Sequence, residues 1–172
     1  MSNRESVSLE TSRLILRTVT LEDIDAVALS WKLDEPPVSR QEAENQVNWM
    51  LANHRQNAAG KIVHLCLAII HKDTCEWIGW CGLDHLDQTR SNPVLFYLLK
   101  SSYWGQGLAT EAARALLEYA FGEMNLPQVD SAAASDNLAS VRVMEKLGMR
   151  SLGLDAEGGH AFTLSREEYH ER

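Results

Sequence analysis

A glycine-containing turn between an apolar segment and an amphipathic helix constrains this chain most strongly. The turn covers residues 104–112 and reads Trp-Gly-Gln-Gly-Leu-Ala-Thr-Glu-Ala. Apolar residues 94–99 before it predict a strand, and apolar residues at helical spacing predict a helix from Leu108 to Phe121. A strand that turns directly into a helix presents N–H groups without intrahelical partners at the positive end of the helix dipole. The turn can therefore bind an anion such as a phosphate, although glycine can equally serve there only to relieve steric strain.

The composition is that of a single globular domain spanning residues 1–172. The chain is 45% hydrophobic and 23% charged, and no linker with a distinct composition divides it. Its formal net charge of −8 argues against binding to nucleic acid, which requires a basic surface. We find no signal peptide, no membrane-spanning stretch and no C-x-x-C pair among the three cysteines. We therefore expect a cytoplasmic protein that has reduced thiols and does not bind membranes.

The hydrophobic periodicity predicts the element order β-αα-βββ-α-β-α-ββ. Residues 1–8 are expected to be frayed, and residues 166–172 form a polar tail. Strands cluster in the middle of the chain while helices alternate with strands later, which predicts an α+β (mixed α/β) fold rather than a wholly parallel sheet. Two predicted helices between the first and second strands form a long crossover.

Several common site motifs are absent from the sequence. The six histidines show no tight metal-ligand spacing with one another or with cysteine, and H-E-x-x-H is missing. The glycine turn lacks the Lys-Ser/Thr of an NTP-binding loop, and Thr110 breaks the G-x-G-x-x-G pattern of dinucleotide-binding folds. We therefore expect no metal site, and we interpret His64, in an apolar strand, as a core histidine whose hydrogen bonds are satisfied.

Two segments together carry a more specific signal. The first is Tyr-Trp-Gly-Gln-Gly-Leu-Ala-Thr-Glu-Ala at 103–112, and the second is Asn-Leu-Ala-Ser-Val-Arg-Val-Met-Glu-Lys-Leu-Gly-Met at 137–149. With the opening Leu-Glu-Thr-Ser-Arg-Leu-Ile-Leu-Arg at 9–17, they resemble the GNAT superfamily of N-acetyltransferases. The resemblance is closest to the ribosomal-protein-alanine N-acetyltransferase (RimJ/RimL-like) branch. The family's pyrophosphate loop, [QR]-x-x-G-x-[GA], falls on Trp104, Gly107 and Ala109, with Trp replacing Gln/Arg.

The resemblance implies a central, mostly antiparallel sheet of about seven strands flanked by helices. It also implies direct transfer of an acetyl group from acetyl-CoA to a primary amine, on a protein N-terminus or a small molecule, by a monomer or homodimer. In the family, the pantetheine arm lies between two splayed parallel strands, here residues 94–99 and 129–134. The implied coenzyme-binding residues are Leu98, Leu99, Trp104, Gly105, Gln106, Gly107, Leu108, Ala109, Thr110, Asn137 and Ser140.

The catalytic groups implied by the resemblance are less complete. Many members have a tyrosine as the general acid at the position of Met144, so Ser140 becomes the candidate that protonates the leaving thiolate. The family's glutamate and glycine before the turn are replaced here by Val94 and Phe96. Candidates for the base that accepts the amine proton are Asp84, His85 and Glu35.

Alternative interpretations remain at this point. The departures from the family pattern also fit a non-catalytic CoA-binding module of the same fold, and the glycine turn alone fits an unrelated nucleotide-binding protein. Cys81 and Ser140 could instead suggest covalent catalysis, which would need a base or a positive environment beside the nucleophile. Trp31, Trp49 and Trp80 could line an acceptor pocket or belong to the core.

Overall fold

The computed structural model describes residues 6–30, 36–85, 87 and 89–171. This part of the chain contains eight strands and five α-helices. The strands are β1 (Ser8–Glu10), β2 (Leu14–Thr18), β3 (His64–His71), β4 (Glu76–Asp84), β5 (Val94–Leu99), β6 (Gln128–Ala133), β7 (Arg150–Leu154) and β8 (His160–Ser165). The helices are α1 (Ile24–Ser30), α2 (Arg40–His54), α3 (Leu108–Gly122), α4 (Leu138–Lys146) and α5 (Arg166–His170).

All described strands join one mixed sheet in the order β1-β2-β3-β4-β5-β6-β8-β7. Neighbouring strands are antiparallel except β5 and β6, which are parallel and share one register position, Val94 opposite Asp130. One residue further on, the Ser131 hydroxyl donates to the Leu95 carbonyl at 3.0 Å. Beyond that point the described residues of the two strands are not paired, and a gap opens in the middle of the sheet.

Helices cover both faces of the sheet. Side chains alternate between the two faces, and both faces are apolar along β3, so each needs a covering layer. From β3, Leu65, Leu67 and Ile69 join the core cluster that contains α3. The intervening Cys66 and Ala68 face the opposite way, into a second cluster with α1 and α2. The long crossover between β2 and β3 therefore covers one face, whereas α3 covers the other.

The mixed α/β fold and the element order predicted from the sequence are confirmed, with two short additions. Residues 8–10 form an eighth strand, and the preceding Val7 is buried, with its N–H donating to the Thr18 hydroxyl at 2.7 Å. The expectation of a frayed segment up to residue 8 is therefore wrong for Val7 and Ser8. Residues 166–170 form α5 instead of a polar tail, because Ser165 caps the helix and Tyr169 packs on Phe121.

No α-helix in the described ranges has both the length and the apolar character needed to cross a lipid bilayer.

Candidate active site

The glycine turn adopts the conformation that its sequence predicts. Gly105 and Gly107 have φ angles of +73° and +76°, a region that side chains with a Cβ rarely adopt. Gly107 is the N-cap of α3. Within the described structure, the backbone N–H groups of residues 105–110 donate no hydrogen bond to a protein acceptor. The turn thus offers a set of unpaired N–H donors at a helix N-terminus, which is the arrangement that binds phosphate groups.

Side chains in the turn support its shape more than they extend its binding surface. The Trp104 indole N–H donates to the Leu99 carbonyl at 2.7 Å, and the Gln106 amide donates to the Ser102 carbonyl at 3.2 Å. Leu108 and Thr110 are buried, at 1% and 8% exposure. The predicted coenzyme-binding residues of this segment can therefore act mainly through their backbone.

A cavity of about 620 Å³ lies at the gap between β5 and β6. Phe96 and Tyr97 both line it, although they belong to opposite faces of the sheet and pack against different core clusters. The cavity is therefore lined by neighbouring residues of β5 whose side chains belong to opposite faces of the sheet. Its lining residues are Asp84, Asp87, Arg90, Val94, Leu95, Phe96, Tyr97, Ala132, Ala133, Ala134, Asn137, Ser140 and Met144.

The β5 edge that faces this cavity follows from the alternation of hydrogen bonds in an antiparallel pair. The Lys100 N–H donates to the Ile78 carbonyl of β4, so Leu98, two residues earlier, also directs its backbone groups toward β4. The backbone N–H groups of Tyr97 and Leu99 then point into the gap. Of the two leucines predicted to pair with pantetheine, this geometry favours Leu99 and disfavours Leu98.

Asn137 and Ser140 meet at the first turn of α4. The Asn137 side-chain oxygen accepts the Ser140 backbone N–H at 3.1 Å, so Asn137 is the helix cap. Capping uses the amide oxygen and leaves the amide NH2 group available to a ligand. The two interpretations of Asn137, cap and ligand-binding residue, are therefore compatible.

A hydroxyl that the sequence interpretation missed lies beside Ser140. The Tyr97 hydroxyl is 3.5 Å from the Ser140 carbonyl oxygen, and both residues line the cavity with Met144. The phenol is protonated at neutral pH, and burial raises its pKa further above the usual value. The site therefore contains a phenol donated by β5, although the usual tyrosine position on α4 is methionine.

Phe96 occupies space that depends on a glycine in the neighbouring strand. A Cβ at Gly82 would lie 2.3 Å from the Phe96 ring and 2.1 Å from the Leu65 carbonyl oxygen, so only glycine fits beneath the ring. On its other side, Phe96 stacks against His64, with ring centroids 6.1 Å apart. Phe96 thus narrows the cavity on the α1–α2 face.

His64 is buried, as predicted, but it is not satisfied within the described part of the chain. It is 4% exposed, and neither ring nitrogen has a hydrogen-bond partner there. Burial lowers its pKa, so the imidazole is neutral at pH 7. Its ring also packs against Trp49, at a centroid distance of 4.9 Å, and Trp49 is 40% exposed.

The three base candidates have different locations. Asp84 ends β4, lines the cavity and lies opposite His64 in the strand register. The Nε2 atom of His85 lies 2.9 Å from the Arg90 carbonyl oxygen, and His85 is not among the cavity-lining residues of the described structure. Glu35 falls outside the described residues. The geometry therefore favours Asp84.

Two other candidates from the sequence, Cys81 and Trp80, belong to the core. Cys81 and Trp80 are at most 1% exposed, and burial raises the pKa of the Cys81 thiol, which disfavours covalent catalysis through a thiolate. Trp80 is therefore a core residue, whereas the half-exposed Trp49 is not, and Trp31 lies outside the described residues. No group of side chains in the described ranges could hold a metal ion.

Comparison with known proteins gives matches along most of the chain. The sequence model of the acetyltransferase (GNAT) domain matches residues 13–150. The protein named uncharacterized N-acetyltransferase p20 of Bacillus licheniformis is 28% identical over 94% of this chain and 98% of its own length. The protein YkkB of Bacillus subtilis (strain 168) is 33% identical over 82% of this chain and 84% of its own length.

Solved structures share the fold at low sequence identity. The ribosomal-protein-S5-alanine acetyltransferase from Vibrio fischeri superimposes with a TM-score of 0.77, at 19% identity, over 95% of this chain and 98% of that one. RimL, the ribosomal L7/L12 alpha-N-protein acetyltransferase in complex with coenzyme A, superimposes with a TM-score of 0.77 at 16% identity. The match covers 94% of this chain and 99% of that one. The resemblance identified from the two sequence motifs is confirmed. The chain belongs to the GNAT family and is an acetyl-CoA-dependent N-acetyltransferase.

Proposed function

We propose that this enzyme transfers the acetyl group directly to a primary amine, carried by a protein N-terminus or a small molecule, inside the cavity between β5 and β6. The observation that supports this most strongly is that the cavity lies where β5 and β6 separate and brings Asp84, Tyr97 and Ser140 into one lining. Two substrates can then be bound side by side in one cavity, as a direct transfer without a covalent enzyme intermediate requires.

The coenzyme would enter from the side of α3 and α4. Its pyrophosphate would accept hydrogen bonds from the N–H groups of residues 105–110, which have no protein acceptor in the described structure. The amides of the pantetheine arm would pair with the backbone of β5 at Tyr97 and Leu99, as an added strand does. One of these N–H groups can also polarise the thioester carbonyl and stabilise the negative charge that develops on its oxygen.

The leaving thiolate needs a proton, and two hydroxyls lie on the α4 side of the cavity. Ser140 is our primary candidate, because it lies in the first turn of the helix that covers the gap. The Tyr97 phenol is the second, since its hydroxyl lies close to the Ser140 backbone. Either group can act directly or through a water molecule.

The amine would enter from the face that carries Phe96 and Asp84. The mouth of the cavity holds Asp84, Asp87 and Arg90, and the Arg90 Nε lies 3.4 Å from an Asp87 carboxylate oxygen. The Asp84 carboxylate therefore adds a negative charge beside this ion pair, which attracts an ammonium group. Asp84, directly or through water, is our candidate for accepting the proton that the amine loses before attack.

Calorimetric titration with acetyl-CoA tests the coenzyme site. We expect Gly107→Val to weaken binding at least about 100-fold, because a β-branched side chain does not tolerate φ near +76°. Gly122→Ala is the matched control, since a Cβ at that helical glycine meets nothing within 4 Å. Thiol release measured over a panel of amines and peptides then tests the acceptor. Wild-type protein that binds no acetyl-CoA at millimolar concentration would contradict the proposal.

A further inference from the structure

The turn that carries the unpaired N–H groups is fastened to the beginning of the chain by a cluster of charge-assisted hydrogen bonds. Glu111, in the first turn of α3, is at its centre. One carboxylate oxygen accepts from the Thr11 hydroxyl at 2.6 Å, the Ser12 hydroxyl at 3.1 Å and the Arg13 backbone N–H at 3.0 Å. The tight turn between β1 and β2 is thereby joined to the helix that follows the glycines.

The Arg13 side chain extends this connection to the glycine turn itself. Its Nε and Nη2 atoms each lie 2.7 Å from the second carboxylate oxygen of Glu111. Its Nη1 atom donates to the Gln106 carbonyl at 3.0 Å. One guanidinium therefore bridges a helix side chain and a loop carbonyl, which its planar, forked donor geometry allows and a lysine ammonium does not reproduce.

The bond to the Gln106 carbonyl sets the direction of the next N–H group. In a trans peptide the C=O and N–H groups point to opposite sides. With the Gln106 carbonyl directed at Arg13, the Gly107 N–H is directed away from it. Peptides beside glycine rotate easily because glycine populates positive and negative φ about equally. The arginine contact thus removes a freedom that two glycines would otherwise give this turn.

The connection is charged under all ordinary conditions. Burial alone would raise the Glu111 pKa, but the hydrogen bonds from residues 11–13 outweigh it and lower the pKa to about 2. The Arg13 side chain is 43% exposed, so this ion pair contributes little to overall stability through burial. Its distinctive contribution is to the orientation of the turn.

We propose that Arg13 is a positioning residue that holds the Gln106–Gly107 peptide, through its bridge to Glu111, in the orientation that receives the pyrophosphate of the coenzyme. This inference rests on the proposed coenzyme site. A turn already fixed in its binding conformation does not pay the cost of ordering when the ligand arrives, and that saving appears as affinity. The effect is confined to the part of the ligand that contacts the turn.

The test compares coenzyme A with pantetheine, which lacks the pyrophosphate. For each variant, calorimetry gives the dissociation constant of coenzyme A, and competition gives that of pantetheine. We expect Arg13→Met to raise the dissociation constant of coenzyme A about tenfold and to change that of pantetheine by no more than about twofold. The tenfold change corresponds to about 1.4 kcal/mol of binding free energy. Arg13→Lys keeps the charge but cannot bridge both acceptors, so its dissociation constant for coenzyme A should lie between those of the wild type and Arg13→Met. Adding Glu111→Gln to Arg13→Met should not lower the affinity for coenzyme A any further, because the two residues act as a unit.

Arg17→Met is the matched control. Arg17 lies on β2, four residues after Arg13, and makes two 2.8 Å hydrogen bonds to Asp23, but it has no hydrogen bond to the glycine turn. This variant should lower thermal stability and leave the ratio of the two dissociation constants unchanged. Equal weakening of both ligands by Arg13→Met would assign Arg13 a merely structural role and overturn the proposal, as would no change in either. Wild-type protein that binds neither ligand would instead refute the coenzyme site itself.

Discussion

One side of the cavity presents mainly backbone groups, whereas the other presents mainly side chains. On the α3–α4 side, the candidate coenzyme contacts are mostly backbone N–H groups, those of residues 105–110 and of the free edge of β5. On the α1–α2 side, the surface includes the side chains of Phe96 and Asp84 from two different strands, and Phe96 packs against His64, which in turn packs against Trp49. Backbone recognition needs only the local conformation of one segment, whereas a side-chain pocket needs the whole fold.

This difference predicts a separation of mutational effects. Changes on the first side should alter affinity for the coenzyme and leave acceptor preference intact, and changes on the second side should do the reverse. Groups at the crossing point should affect the rate without affecting either affinity. The experiments below test that separation and then the stability of the second side, from the largest expected effect to the smallest.

Removing the proposed proton donor should have the largest effect. We expect Ser140→Ala to lower kcat about 100-fold with the coenzyme dissociation constant unchanged, because general acids contribute at least this much. Tyr97→Phe should lower kcat only about threefold, because in this proposal the Tyr97 phenol assists Ser140 and is not itself the acid. Steady-state thiol release and calorimetry measure the two quantities. The opposite order of losses would assign the acid to Tyr97.

Enlarging the cavity at Phe96 should change acceptor preference. We expect Phe96→Ala to raise the KM of the best wild-type amine about tenfold and to admit bulkier amines, because it removes roughly 1.4 kcal/mol of apolar contact. Leu98→Ala is the control, as Leu98 packs on the same face but is absent from the lining of the cavity in the described structure. A comparable change in coenzyme affinity would break the separation of the two sides.

Asn137 allows the cap to be separated from the ligand contact. Asn137→Asp keeps a side-chain oxygen for the Ser140 N–H but loses the amide donor, so coenzyme affinity should fall about fivefold with little change in Tm. Asn137→Ala should also lower the free energy of unfolding, by about 1 kcal/mol. If Asn137→Asp binds the coenzyme as well as the wild type does, Asn137 is only a cap.

His64 should show the smallest effect, and on stability rather than affinity. We expect His64→Phe to raise the free energy of unfolding by about 1 kcal/mol at pH 7, because it removes a buried imidazole without partners in the described chain. Coenzyme affinity should not change. Thermal or urea unfolding of both proteins provides the measurement.

The same pair of proteins gives a pH test with a definite sign. Burial lowers the His64 pKa in the folded state, an effect that His54 reinforces and Asp84 opposes. Below the ordinary histidine pKa of about 6.5, the unfolded chain therefore binds more protons than the folded one. Wild-type stability should fall from pH 7 to pH 5 more steeply than that of His64→Phe. Parallel curves would show that the His64 pKa does not differ between the folded and unfolded states.

Local sequence signals predicted the element order and the turn, because these depend on periodicity and on glycine at particular positions. The glycines at 105 and 107 have the positive φ angles that the motif implies, and Asn137 begins α4 as a cap. The short elements β1 and α5 were missed, since three to five residues are too few to show a hydrophobic period. They are stabilised by contacts distant in sequence.

The content of the cavity was harder to predict. The methionine at position 144 of α4 is visible in the sequence, but it could not show that β5 places a phenol beside the same helix. The effect of Phe96 likewise depends on Gly82 of the neighbouring strand, a pairing that only the register of the sheet reveals. A sign was available in the sequence, because a glycine inside a strand can mark a close approach.

The single register position shared by β5 and β6 has a consequence for the protein outside catalysis. A sheet normally exposes unpaired backbone groups only at its outermost strands, where charges, proline or short length discourage pairing with other chains. Here an additional edge lies in the middle of the sheet, flanked by the small side chains of Ala132 and Ala133. Such an edge offers backbone groups with which an extended ligand can pair. A bound coenzyme whose pantetheine amides pair with this edge would complete the sheet there, as an added strand does.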